Sequence, residues 1–106
     1  MRLIAARLGA IVDSMPIYLV ERYLPGRDRA WIEAAVDRLR RERRTATYLG
    51  STYVAADDAC YCRFEAETAE DVRDANEIAG VPFARIVAAE EMGIGQPEPP
   101  KKGALP

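Results

Sequence analysis

The chain has 106 residues, of which 49% are hydrophobic, so it is long enough for one domain with a modest core and too short for two. Its 15 basic and 17 acidic side chains nearly cancel, which excludes the overall positive charge typical of proteins that bind nucleic acid or anionic membranes. Histidine is absent, and with it the commonest metal ligand and the usual general base near neutral pH.

Residues 1–14 carry apolar side chains at helical spacing, but Met15 stands directly before the first clear strand pattern. We interpret residues 1–14 as an N-terminal extension, with a short amphipathic helix as the alternative. The apolar stretch 8–12 is shorter than the roughly 7 to 15 residues of a secretory signal core. Because no apolar run is long enough to span a membrane, we expect a cytoplasmic protein without a membrane partner.

The next segments alternate between strand and helix patterns. Residues 16–24 are rich in β-branched and aromatic side chains and end at a Pro-Gly turn, which predicts the first strand. Asp28 is a candidate N-cap for a helix whose apolar residues recur every three or four positions up to Leu39. Residues 45–54 and 58–66 then predict two strands of a hairpin, joined by a short connection.

The second half of the domain ends in a helix and a strand. Thr68 followed by Asp71 approximates a capping box, and the helix pattern stops at Gly80 with a proline behind it. Residues 83–91 predict the last strand. From residue 93 onward the chain is rich in proline and glycine, so residues 93–106 are interpreted as a flexible tail.

The order β-α-β-β-α-β predicts an α+β domain of the ferredoxin-like class over residues 15–92, in which two helices cover one face of a four-stranded antiparallel sheet. Alternation along the third strand directs Cys60, Cys62 and Phe64 toward the helices and Tyr61, Arg63 and Glu65 to the other face. On the first strand the same outer face is assigned to Ile17, Leu19, Glu21 and Tyr23. This face is apolar enough that we expect a homodimer, as in a dimeric α/β barrel.

The outer face also supplies the candidate ligand site. Glu21, Tyr61, Arg63 and Glu65 either form a pocket for a small polar molecule or make a cross-strand ladder of charges without a ligand. Tyr23 and Tyr48 complete the candidate ligand-binding set, and Tyr48 is the tyrosine expected to reach a pocket. No catalytic residue and no metal ligand is assigned.

Two further patterns have simpler interpretations. The pair Cys60-x-Cys62 resembles half of a thiolate metal site, but no second pair exists to complete it, and buried free cysteine behaves as a small apolar side chain. Residues i and i+2 of a strand lie about 6.6 Å apart, near the upper limit for a disulfide, so none is expected. The arginines between positions 38 and 44 are interpreted as a solvated helix end rather than a phosphate or RNA site.

Four segments resemble a bacterial family of nickel-responsive, nickel-binding proteins that was formerly catalogued as a domain of unknown function. They are VERYLPG at 20–26, YLGST at 48–52, CYCRFEA at 60–66 and the stretch from Ala75-Asn76 to Pro82-Phe83. The resemblance covers about residues 16–91 and implies a small ferredoxin-like dimer. It also suggests a divalent metal such as nickel as cofactor, although the family uses histidine near the position of Glu21 and this chain has none.

The leading hypothesis is a non-catalytic protein that binds or senses a small ligand or a metal as a homodimer. An alternative is a small cofactor-independent enzyme, a monooxygenase or isomerase of the dimeric barrel type, with Glu21 as general base; this rests on fold analogy. A third is an accessory protein whose tail at 96–105 recruits another protein. The sequence does not identify the ligand.

Overall fold

The structure, a computed structural model, describes residues 15–93. The predicted N-terminal extension and all of the predicted tail except Gly93 lie outside these residues, so the interpretations given for them stay predictions. Within residues 15–93, no helix is both long and apolar enough to cross a membrane.

The described chain folds into one four-stranded antiparallel sheet and two α-helices. The elements in chain order are β1 (Ile17–Tyr23), α1 (Arg29–Arg41), β2 (Thr47–Val54), β3 (Ala59–Glu65), α2 (Ala69–Ala79) and β4 (Arg85–Ala89), with a short 3₁₀ turn at Ala55–Asp57 between β2 and β3. The strands lie in the order β2-β3-β1-β4. This is the ferredoxin-like α+β fold, and it confirms the predicted element order.

The helices begin and end where the sequence signals predict. Asp28 accepts a hydrogen bond from the backbone N–H of Trp31 at 2.9 Å, and Thr68 accepts one from Asp71 at 3.1 Å, so each caps a helix N-terminus. Gly80 ends α2 in the left-handed conformation at φ 72°, which glycine adopts without a steric penalty. These three helix boundaries could therefore be predicted from single residues.

The core lies between the sheet and the helices. It is built around Val20, Phe64 and Cys62 from the strands and Leu39 and Val72 from the helices, each 1% exposed or less. The ring of Tyr48 meets that of Phe64 edge-on, with centroids 5.6 Å apart. The strands turn out shorter than the sequence pattern suggests, since β2 begins at Thr47 and β4 at Arg85.

Candidate functional site

The open face is the side of the sheet away from the helices. Burial alternates along β3, where Cys60, Cys62 and Phe64 are buried beneath the helices, so Tyr61, Arg63 and Glu65 lie on the open face. Register pairs Glu21 with both Tyr61 and Arg85, and Leu19 with both Arg63 and Val87. The face assignments made from the sequence for β1 and β3 agree with this arrangement.

Ion pairs define the polar part of the open face. Arg85 donates to both oxygens of Glu21, at 2.9 and 3.1 Å, and Arg63 lies 3.2 Å from a carboxylate oxygen of Glu91. Glu21 and Arg63 are therefore each bound to another residue and not to one another. The hydrogen bond from Arg85 holds the pKa of Glu21 below its ordinary value. A carboxylate with a lowered pKa is a weaker proton acceptor, which does not suit the role of a general base.

The predicted ligand residues fall into separate depressions. Glu21, Tyr23 and Tyr61 line one depression of about 280 Å³ on the open face. Arg63 lines a second of about 270 Å³, and Glu65 a third of about 520 Å³ at the end of β1. Tyr48 lies on the opposite side of the sheet, in a cleft against α1. The structure thus brings three of the six predicted residues together.

A buried polar cluster lies on the helix side, and sequence reasoning missed it. Arg22 is only 3% exposed, although it is a charged residue. Its Nε donates to Cys62 Sγ at 3.4 Å and its Nη2 to Asn76 Oδ1 at 2.6 Å. Its Nη1 donates to the backbone carbonyls of Val81 and Pro82. Alternation could have indicated this, because position 22 has the same parity as buried Val20 on β1.

A bulge in β2 brings two more side chains to this cluster. Tyr48 pairs with Phe64 and Ser51 with Cys62, because the register shifts between Tyr48 and Gly50. In a regular strand, residues three apart point to opposite faces, but here both point toward the helices. The Tyr48 hydroxyl lies 2.6 Å from Ser51 Oγ, and Ser51 donates to Cys62 Sγ at 2.9 Å.

The two cysteines are free and form the centre of this cluster. We call Arg22, Ser51, Cys60 and Cys62 the thiol cluster. The two Sγ atoms are 3.9 Å apart. The hydrogen bond from Cys60 lowers the pKa of Cys62 to about 6 against the opposing effect of burial, with help from the charge of Arg22 and the hydrogen bonds from Ser51 and Arg22. The same bond and burial raise the pKa of Cys60.

The thiol cluster adjoins a cleft of about 470 Å³ between α1 and β2. Cys60 and Ser51 line its floor, and Tyr48 and Tyr53 stand beside them. The α1 wall presents two arginines and two acidic residues, namely Arg29, Arg40, Glu33 and Asp37. Burial raises the pKa of the Tyr48 hydroxyl, so this group remains a neutral hydrogen-bond donor at the cleft floor.

The chain matches the family model described as "Nickel responsive protein SCO4226-like" over residues 18–88. The chain belongs to this family. The match covers both helices, all of β2 and β3, and all but one end residue of β1 and of β4, so it includes most of the open face and the whole thiol cluster. No curated protein and no solved structure matches the chain.

The residues of the thiol cluster do not fit a nickel ion. Two thiolates on one tetrahedral ion, with bonds of about 2.3 Å, lie about 3.8 Å apart, close to the 3.9 Å between Cys60 and Cys62 Sγ. The guanidinium of Arg22, however, lies 3.4 Å from Cys62 Sγ and would repel a cation bound there. Within residues 15–93, no three or more His, Cys, Asp or Glu side chains converge to hold a metal.

Proposed function

We propose that this member of the nickel responsive family is a non-catalytic protein that senses a small polar ligand as a homodimer, in which two copies pair through their open faces. The observation that carries the proposal is a row of apolar side chains on that face, along the inner strand β1 and the edge strand β4. Leu19 stands opposite Val87 and Ile17 opposite Ala89, and all four are only partly buried in the single chain. A contiguous apolar row of this kind is typical of an interaction surface.

The charges of the open face suit pairing with a second copy. The face carries carboxylates and guanidiniums in two ion pairs, Glu21 with Arg85 and Arg63 with Glu91. A two-fold axis places the same surface of both copies together, so a patch must complement itself. A face with both signs of charge beside an apolar row meets this requirement, whereas a face of one sign would repel its copy.

The ligand is proposed to occupy the depression lined by Glu21, Tyr23 and Tyr61. A carboxylate and two tyrosines supply hydrogen-bond acceptors and donors, and a second copy over the face would close the opening to solvent. The lowered pKa of Glu21 favours binding over acid–base catalysis at this place.

Native mass spectrometry of the purified full chain tests oligomeric state and retained ligand together. The expected result is a dimer that carries additional mass, and that mass should be lost in Glu21→Gln. The matched control is Glu70→Gln, because Glu70 also faces an arginine, Arg73, but does so on the exposed surface of α2. A bare monomer contradicts the proposal, and retention of the ligand by Glu21→Gln excludes the proposed depression.

A further inference from the structure

The burial of Arg22 raises the question of what balances its charge. A guanidinium stays protonated in proteins, and a buried charge is costly unless it is paired. Within residues 15–93 its contacts are three neutral oxygens, on Asn76, Val81 and Pro82, and the sulfur of Cys62. Among these groups only the sulfur is able to carry a negative charge. The contacts therefore indicate a thiolate at Cys62 as the counter-ion of Arg22.

The hydrogen bonds around Cys62 also indicate a thiolate. Its Sγ accepts from Arg22 Nε and from the Ser51 hydroxyl, and Cys60 Sγ lies 3.9 Å away. Two donors on one sulfur suit a thiolate, which only accepts, better than a thiol. Cys60 then keeps its proton and donates it, so the two cysteines together hold one proton and one negative charge. Such a pair titrates as a unit.

The charged groups that face the pair come from three elements. Arg22 approaches from β1, Tyr48 from β2, and the α1 wall of the cleft contributes two arginines and two acidic residues. The α1 charges cancel in number, and the Tyr48 hydroxyl is neutral. The charge of Arg22 therefore determines whether the cysteine pair carries a negative charge. Cys60 is 2% exposed but borders the cleft, whereas Cys62 is fully buried and does not, so Cys60 is the cysteine nearer to a small molecule in the cleft.

We propose that Cys60 and Cys62 are a redox-active thiol pair, charged at rest against Arg22, which a small hydroperoxide entering the α1–β2 cleft oxidises to an intrastrand disulfide. The proton shifts from Cys60 to Cys62, and the Cys60 thiolate attacks one peroxide oxygen. The O–O bond breaks, the S–O bond of a sulfenic acid forms at the terminal oxygen, and the other oxygen leaves as hydroxide from hydrogen peroxide or as alkoxide from an organic hydroperoxide. The Cys62 thiol then attacks the Cys60 sulfur, its proton joins the departing hydroxyl as water, and the two sulfurs have lost two electrons to the peroxide.

The geometry allows this disulfide but does not favour it. Alternate residues of a strand have Cα atoms about 6.6 Å apart, inside but near the upper end of the range that a disulfide bridges. The side chains must also rotate, because the Sγ atoms start 3.9 Å apart. A bond formed under such constraint is readily reduced, which suits a reversible sensor better than a structural crosslink. The site lies on the opposite side of the sheet from the open face and does not depend on dimer formation.

The test uses the full reduced chain, freed of reductant and treated with dilute hydrogen peroxide near pH 7. We expect both thiols to disappear together, the intact mass to fall by roughly 2 Da, and dithiothreitol to reverse both changes. Cys60→Ser and Cys62→Ser should not lose this mass. The proposal is overturned if the folded chain keeps both thiols while glutathione in a parallel tube is oxidised under the same conditions, or if the chain gains oxygen without forming the disulfide.

A second arm tests the role of Arg22. Arg22→Gln should slow oxidation near pH 7 by about tenfold, and raising the pH toward 9 should restore the rate, because the thiolate then forms without the guanidinium. Arg38→Gln is the control, since Arg38 is an exposed arginine that donates to the carbonyl of Ala79. If Arg22→Gln does not fold, the pH dependence of the oxidation rate of the native chain decides: a half-maximal rate below about pH 7.5 supports the proposal, and one above about pH 7.5 overturns it.

Discussion

The guanidinium of Arg22 and the sulfur of Cys62 are in direct contact at 3.4 Å, and both side chains are almost completely buried. The pair lies where β1 and β3 are adjacent, beneath α2. Because the chain offers Arg22 no carboxylate within residues 15–93, the ionisation of Cys62 becomes coupled to the stability of the fold. The first two predictions follow from this contact, and the third concerns the other hydrogen bond to Cys62.

The stability of the reduced protein should depend on pH in a range where most proteins without histidine change little. The folded-state pKa of Cys62 is lowered to about 6, so the unfolded chain binds more protons between pH 6 and 8. The free energy of unfolding should therefore rise with pH across this window, with a slope of at most about 1.4 kcal/mol per pH unit. Above about pH 9 the raised pKa of Cys60 reverses the trend. Urea unfolding at several pH values measures this, and Cys62→Ser should remove the rise between pH 6 and 8.

The costs of removing Arg22 and Cys62 should not add. Arg22→Met and Cys62→Ala each leave a buried partner without its counter-charge, and each should destabilise the fold by about 3 kcal/mol. In the double variant neither charge remains, so the total should be smaller than the sum by about 1 to 3 kcal/mol. Urea unfolding of the four proteins at pH 8 under reducing conditions gives this coupling. Additive costs would show that the two groups are not an ion pair.

The hydroxyl of Ser51 should matter more to the thiolate than that of Tyr48. Ser51 donates directly to Cys62 Sγ at 2.9 Å, whereas Tyr48 contacts only Ser51. Ser51→Ala should raise the pKa of Cys62 by roughly one unit, and Tyr48→Phe by less than half of that. The ultraviolet absorbance of the thiolate, followed against pH, reports both. Equal shifts in the two variants would contradict the assigned order of the hydrogen bonds.

The sequence predicted the elements of the fold well, because they depend on local signals. Asp28, Thr68 and Gly80 mark helix ends through their own backbone and side-chain chemistry, and alternation assigned Cys62 and Phe64 to the core side of β3. The same alternation could have placed Arg22 inside, but an arginine near a strand end is usually exposed, so its burial depends on partners far along the chain.

The parts of the site that the sequence did not predict depend on strand register and on pairing between residues far apart in the chain. The bulge between Tyr48 and Gly50 turns Ser51 toward Cys62. A glycine inside a strand pattern suggests a bulge, but it does not indicate which partner the shifted residues will contact. The partner of Glu21 is Arg85 from β4, 64 residues away, which a charge pattern on β1 and β3 does not reveal. The faces of β1 and β3 were predictable from alternation, whereas the bulge in β2 and the partner that β4 supplies were not.

The pairing of open faces is the central claim, and the apolar row offers a direct way to disrupt it. Val87→Arg places a charge opposite Leu19 in the middle of the row, while Ile78→Arg makes the same kind of change on the exposed surface of α2, where Ile78 is 53% exposed. In a sedimentation velocity experiment we expect the native chain and Ile78→Arg to move as dimers and Val87→Arg as a folded monomer. A native chain that sediments as a monomer at all accessible concentrations would contradict the account.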